Sequence, residues 1–300
     1  MHIKNCKAER VFFVKTSTEI GSIAKIVGEE RAVEYTAKAG FDAWDFSMME
    51  MARRDWTNGG RILDSNHPLR GSHYLAFARK LKQIGLDNGI KCNQSHAPYP
   101  VFIEEVRSYL KRAIECTAEA GGNICVIHPD NDKSAEENKE MYLELLPFAK
   151  SCGVKIATEN MWNWDKAKNC AIPAACSDPE SFNAHLDAVN DADFVACLDL
   201  GHAEMKGLGT SAEEMILKLG HRIAALHIHD NDKWHDSHQI PFSMEIDFDK
   251  IIAALKKIKY KGYFTLEACY YLSDHNEENV FEGVKALYAS VKKLADQFEQ

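Results

Sequence analysis

IAALHIHDNDKWHDSH, residues 223–238, begins apolar and turns into a run of metal-capable side chains. Its first half carries an alternation: Leu226 and Ile228 are apolar, His227 and His229 polar. Successive side chains of a strand point to opposite faces. A strand here sends Leu226 and Ile228 outward to covering helices and turns His227 and His229 toward the axis of a barrel. Of residues 226–238, seven of thirteen are His or Asp, so the strand surfaces directly into a polar, ligand-rich loop.

Working outward, short apolar runs recur along the whole chain: VFFVK (11–15), FDAWDF (41–46), IKCNQSH (90–96), NICVIH (123–128), VKIATE (154–159), FVACLD (194–199), IAALHIH (223–229) and YFTLE (263–267). Amphipathic stretches with helical spacing lie between most of them. In residues 101–120 the apolar positions are Val106, Tyr109, Leu110, Ala113 and Ile114; further on Ile251, Ile252, Leu255 and Ile258 repeat the pattern. Gly40, Gly89, Gly121, Gly153 and Gly262 stand just before strands, where helices end. Eight strand–helix units predict an α/β chain folded as a (β/α)8 TIM barrel, one domain over residues 1–300. A doubly wound sheet would want a glycine-rich phosphate turn after the first strand, and TSTEIGS (16–22) is not one. The longer gaps at 47–71 and 160–178 read as loops or small insertions above the barrel.

With 300 residues, 45% of them hydrophobic, the chain has ample material for one large core. The net charge of −9 argues against nucleic acid and against anionic membrane surfaces, both of which need a basic footprint. No apolar run reaches the ~18 residues of a spanning helix. The start, MHIKNCKAERVFFVK, lacks the apolar core and cleavage site of a secretory leader. Nine cysteines, at 6, 92, 116, 125, 152, 170, 176, 197 and 269, are odd in number and contain no CxxC pair. Free thiols in a reducing, cytoplasmic setting are expected, with the close pair Cys170 and Cys176 read as loop or surface residues.

The ends of the strands are chemically alike. They carry His96, His128, Glu159, Asp199, His227 with His229, and Glu267. Chemistry in a barrel is built at this C-terminal rim. A single histidine or glutamate there is most simply a hydrogen-bonded structural residue. Carboxylates arriving from several independent strands would repel one another and lose hydration unless a cation joins them. A bound divalent metal is therefore expected, and mixed imidazole and carboxylate donors suit Mn²⁺, Co²⁺, Fe²⁺ or Zn²⁺. Nothing calls for a nucleotide cofactor.

The motifs SHAPY (95–99), IHPD (127–130), ATEN (157–160), CLDLGH (197–202), LHIHD (226–230), DSH (236–238) and TLEA (265–268) resemble those of the xylose isomerase-like barrels. That superfamily comprises sugar isomerases and epimerases, inosose dehydratase and nucleases of the endonuclease IV type. In the epimerase branch the resemblance implies one metal on Glu159, Asp199, His227 and Glu267, with Glu159 and Glu267 as the catalytic pair. It places His202 on substrate, and His229 and Lys233 as orienting groups, with His96, His128, Trp162, Asp236 and His238 completing the substrate-facing set. In the nuclease branch, which holds three zinc ions, His96, His128, Asp236 and His238 would be further ligands. So the ligand inventory alone does not separate the branches.

The acidic balance, the absence of basic clusters in the first loops, and the aromatics expected at the rim (Trp44, Tyr99, Trp162, Trp164, Trp234 and Phe242) favour a small sugar or polyol substrate. Residues 240–248, IPFSMEIDF, have Phe242, Ser243 and Met244 where many members carry glycines. That argues for a non-phosphorylated substrate. The expected reaction is isomerisation or epimerisation through a cis-enediolate; a dehydratase-like elimination or a zinc phosphodiesterase are the alternatives. The resemblance also implies a homo-oligomer.

Overall fold

The computed structural model describes residues 13–55 and 60–300. Cys6 and the start of the first predicted strand, residues 11 and 12, lie outside the described residues. Eight parallel strands form the barrel: β1 (Lys15–Thr18), β2 (Ala43–Ser47), β3 (Lys91–His96), β4 (Ile124–Val126), β5 (Lys155–Glu159), β6 (Phe194–Asp199), β7 (Ile223–His227) and β8 (Tyr263–Leu266). A continuous ladder runs from β2 to β7, and β8 pairs with β1. Single bridges close the remaining gaps, Glu19 to Asp45 and Ile228 to Leu266.

The principal helices follow each strand: α1 (Glu29–Ala39), α2 (Tyr74–Asp87), α3 (Leu110–Ala120), α4 (Ala135–Ser151), α5 (Pro179–Val189), α6 (Ala212–Leu219), α7 (Phe248–Lys257) and α8 (Val280–Glu299). Local chemistry sets their ends. A capping box of Ser134 and Glu137 opens α4, and Asp178, followed by Pro179, opens α5. The core lies between strands and helices, where Trp44, Phe46, Leu226, Ile228, Phe264 and Leu266 are buried together. This is the outward face that the alternation predicts, and it leaves Asp45, His227 and Thr265 to the interior.

Several sequence expectations need correction. Gly40, Gly89, Gly121 and Gly153 take positive φ at helix ends, but Gly262 does not; Lys259 makes that turn at φ 57°. Gly262 is needed for space, since a Cβ there would meet Tyr260 Oη at 2.1 Å. The helix expected across residues 101–120 is two pieces, Glu104–Ser108 and α3, broken at Tyr109. The two long gaps are not plain loops. Each carries an antiparallel hairpin, Arg54–Asp55 with Arg61–Ile62 and Trp162–Asp165 with Cys170–Pro173. Trp44 is not at the rim, because its strand position turns it into the core, edge-on to Phe46. Cys176 is fully buried, not a surface residue. All eight cysteines among the described residues are free. No helix among the described residues is long and apolar enough to cross a membrane.

Candidate metal centre

The strand ends converge. Glu159, Asp199, His227 and Glu267, from β5, β6, β7 and the residue after β8, each offer a ligand atom within 4.8 Å of the others. His227 Nδ1 lies 3.0 Å from Glu159 Oε1 and 3.4 Å from Glu267 Oε2. Glu159, Asp199 and His227 are buried, while Glu267 keeps 15% of its side chain exposed and so reaches the mouth. Asp199 Oδ2 is buried with no hydrogen-bond partner. An orphaned carboxylate oxygen beside two further carboxylates is costly unless a cation accepts it. The donor set and the orphaned oxygen fit a divalent ion.

A second group joins His202, His229, Asp236 and His238. Asp236 lies 3.3 Å from His202 Nε2, 3.1 Å from His238 Nε2 and 3.6 Å from His229 Nε2. Its Oδ1 is also buried and unpartnered. A third group, His96, His128 and Glu159, shares Glu159 with the first. There the two Nε2 atoms approach to 2.9 Å.

The histidines are pre-oriented. His96, His202 and His238 each donate Nδ1–H to a backbone carbonyl, of Ala97 at 2.8 Å, Asn160 at 2.8 Å and Glu267 at 2.7 Å. That bond leaves each Nε2 facing the clusters, the arrangement by which an outer partner orients a metal-ligating imidazole. Gly201 makes room for another ring, since a Cβ there would sit 2.0 Å from His229 Cε1. The loop after β7 is held by Asp230, which accepts from the backbone N–H of Asn231, Met244 and Ile246. In it Lys233, His238 and Phe242 adopt positive φ, 64°, 39° and 70°. Non-glycine residues rarely do so, and such strain gathers at functional sites. Phe242 thus keeps a glycine-like backbone without being glycine.

The electrostatics follow from crowding. Burial would raise the Glu159 carboxyl, but the charge of His227 and hydrogen bonds from His128, His227 and His96 hold it well below its ordinary 4.5. Asp199, likewise raised by burial, is brought down to about 2 by His202 and His229. Burial lowers His202, yet Asp199 and Asp236 push it up to about 10. His128, with burial dominant, falls to about 4.

Of the residues singled out from sequence, eleven lie in or against these groups: His96, His128, Glu159, Asp199, His202, His227, His229, Asp236, His238 and Glu267 within them, and Trp162 edge-on to His202 with ring centroids 6.4 Å apart. Lys233 is not brought in; its ammonium lies 3.1 Å from Glu204. Among the aromatics, Tyr99 stacks on His128 at 4.7 Å and Trp164 on the His235 ring at 6.0 Å. Trp234 is exposed beneath Lys206, and Phe242 packs on Phe248. Sequence reading missed two buried carboxylates. Glu19, just past β1, is raised by burial, against hydrogen bonds from Ser22, with the Glu267 charge adding to the rise. Asp45 in β2 faces His227 Nε2 at 3.5 Å. The signal for Asp45 was present in AWDFS, where an acid alternates with two core aromatics.

The sequence profile of the xylose isomerase-like TIM barrel family matches residues 33–290. The uncharacterized protein MJ1311 of Methanocaldococcus jannaschii is 25% identical over 256 residues, 79% of this chain and 78% of that one. Among solved structures, a D-tagatose 3-epimerase-like protein superposes with a TM-score of 0.67 at 20% identity, over 94% of this chain and 99% of its own. The IOLI protein with a binding zinc atom superposes with a TM-score of 0.68 at 17% identity, over 95% and 99%.

Proposed function

The chain belongs to the xylose isomerase-like TIM barrel family, and on that premise we propose that it is a divalent-metal-dependent isomerase or epimerase of a sugar or polyol. The observation that carries the reading is the converging set Glu159, Asp199, His227 and Glu267, with ligand atoms within 4.8 Å and an orphaned Asp199 oxygen. These four residues would hold Mn²⁺, Co²⁺ or Zn²⁺. When bound, the ion polarises a substrate carbonyl and acidifies the adjacent C–H. Glu159 and Glu267 enter the site from β5 and from the end of β8. One carboxylate takes the α-proton, the C–H pair forms the C=C bond of an enediolate as the carbonyl π pair moves to oxygen, and the other carboxyl, carrying a proton taken from solvent, returns a proton to carbon as the carbonyl re-forms. His202 and His229 orient hydroxyls, and Trp162 and Tyr99 offer faces to the sugar ring. The eight free thiols among the described residues suit a cytoplasmic setting.

Turnover in D₂O of a panel of pentoses, hexoses and inososes tests this. Deuterium on the α-carbon is expected; turnover of any sugar without exchange overturns the enediolate step, and an enone absorbance would redirect it to elimination of water. The two further groups, His96–His128–Glu159 and His202–His229–Asp236–His238, favour a second reading, a zinc phosphodiesterase. The net charge of −9 opposes it, since a phosphate backbone needs basic contacts. Metal analysis separates the two: one ion per chain for the isomerase, about three zinc for the phosphodiesterase.

A further inference from the structure

His227 differs from the other oriented histidines of the centre. Where His96, His202 and His238 anchor Nδ1 on a backbone carbonyl and present Nε2, His227 presents Nδ1 to Glu159 and Glu267. Its Nε2 is buried without a hydrogen bond and faces Asp45 Oδ2 at 3.5 Å. The Cys197 thiol also lies near the ring, but a thiol is a weak acceptor. No backbone carbonyl does for His227 what it does for the other three.

The interior of the barrel holds Asp45 in one orientation. Ser17 Oγ lies 2.7 Å from Asn93 Oδ1, and the Asn93 nitrogen faces Gln94 and Thr265. Asn93 Nδ2 and the Thr265 hydroxyl both reach Gln94 Oε1, each at 3.2 Å. A carboxylate only accepts, so the Gln94 amide turns Nε2 to Asp45 Oδ2, at 2.9 Å, and keeps Oε1 as its acceptor end. The Ser17 and Thr265 hydroxyls can donate or accept, so the Asp45 carboxylate is what fixes the orientation of the amides. The chain ends on a carboxylate that offers only lone pairs to His227 Nε2.

We infer that Asp45 is a positioning residue, held by Gln94, that keeps the proton of His227 on Nε2 and so presents the Nδ1 lone pair to a metal in the strand-borne site. This rests on the metal reading above. It needs no contact between Asp45 and substrate.

The test is divalent-metal affinity, by competition of Co²⁺ and Zn²⁺ against a chelator, joined to nitrogen-15 imidazole spectra of the Zn²⁺-loaded chain. Asp45→Leu removes the acceptor at similar volume and should weaken binding about 10–100-fold, with the His227 Nε2–H signal lost. Asp45→Asn keeps an amide oxygen where Oδ2 stands and should restore affinity to within a few-fold, a rescue that a purely structural role would not give. Gln94→Met, which spares both Asp45 and His227, should cost several-fold and keeps the inference testable if Asp45→Leu does not fold. Ser17→Ala, at the far end of the network, should change nothing. Wild-type affinity in Asp45→Leu, or an equal loss in Ser17→Ala, overturns the inference while the metal reading stands. A wild-type chain that takes up no divalent ion overturns both.

Discussion

The two principal clusters of this barrel are built differently. Glu159, Asp199 and His227 sit on strands, with Glu267 one residue beyond β8. In the second cluster His202 rides on a short helical turn after β6, while Asp236 and His238 lie on the strained loop after β7. Strand-borne ligands are oriented by neighbouring strands, as His227 is by Asp45 and Asp199 by Asn160, whose amide oxygen accepts from the Asp199 N–H at 2.8 Å. The loop-borne ligands depend on one buried aspartate, Asp230, that gathers three N–H groups of its own loop. The first site is built into the sheet, and the second mostly into the connections above it.

The largest effect should come from the strand-borne side. Glu159→Gln removes a carboxylate shared by the strand-borne set and the His96–His128 group and should lower kcat about 10²–10⁴-fold, measured on whichever sugar shows deuterium exchange, while KM, set in part by His202 and His229, stays within a few-fold. A KM that rises along with the loss of kcat would break the division. Next, Asp230→Ala leaves buried N–H donors without an acceptor and should cost about 3 kcal/mol in denaturant melts, with metal affinity of the strand-borne site kept. If that affinity collapses as well, the loop supports both sites. A smaller change is expected of His238→Ala: KM raised about tenfold on that sugar, with the affinity of the strand-borne site for its one ion, read by calorimetry, unchanged.

The smallest effect sharpens the contrast through a pair belonging to neither cluster. Burial raises Glu29, but the hydrogen bond and charge of His67 bring it below its ordinary 4.5. A lowered carboxyl adds stability above pH about 4.5 that is lost as pH falls through its folded value. The wild type should therefore show an acid limb in its denaturant midpoint that His67→Phe flattens, with metal stoichiometry the same in both. An unchanged limb would mean that the clusters, not this pair, set the acid response.

Much of this was legible in sequence for a local reason. Alternation in IAALHIH and YFTLE set which side chains face inward, and β7 and β8 follow it. The same rule, applied to AWDFS, would have placed Trp44 in the core and Asp45 inside; weight given to aromatic count obscured it. The first of the two hairpins gave no comparable signal, because its strands have only two residues each. Gly262 was misread because a glycine needed for clearance against Tyr260 looks the same in sequence as one needed for positive φ.

By itself the sequence determined the eight-unit beat and the inward direction of the strand-end acids and histidines, while the four-residue metal set was implied by the family resemblance and not by the pattern. Only the tertiary structure decided that positions as far apart as Asp45 and Glu267 meet around one imidazole, which ring nitrogen of His227 faces the carboxylates, and that Lys233 turns to Glu204. The reason is range. Side-chain alternation is a property of neighbouring residues, whereas convergence depends on strand register and closure around the whole barrel.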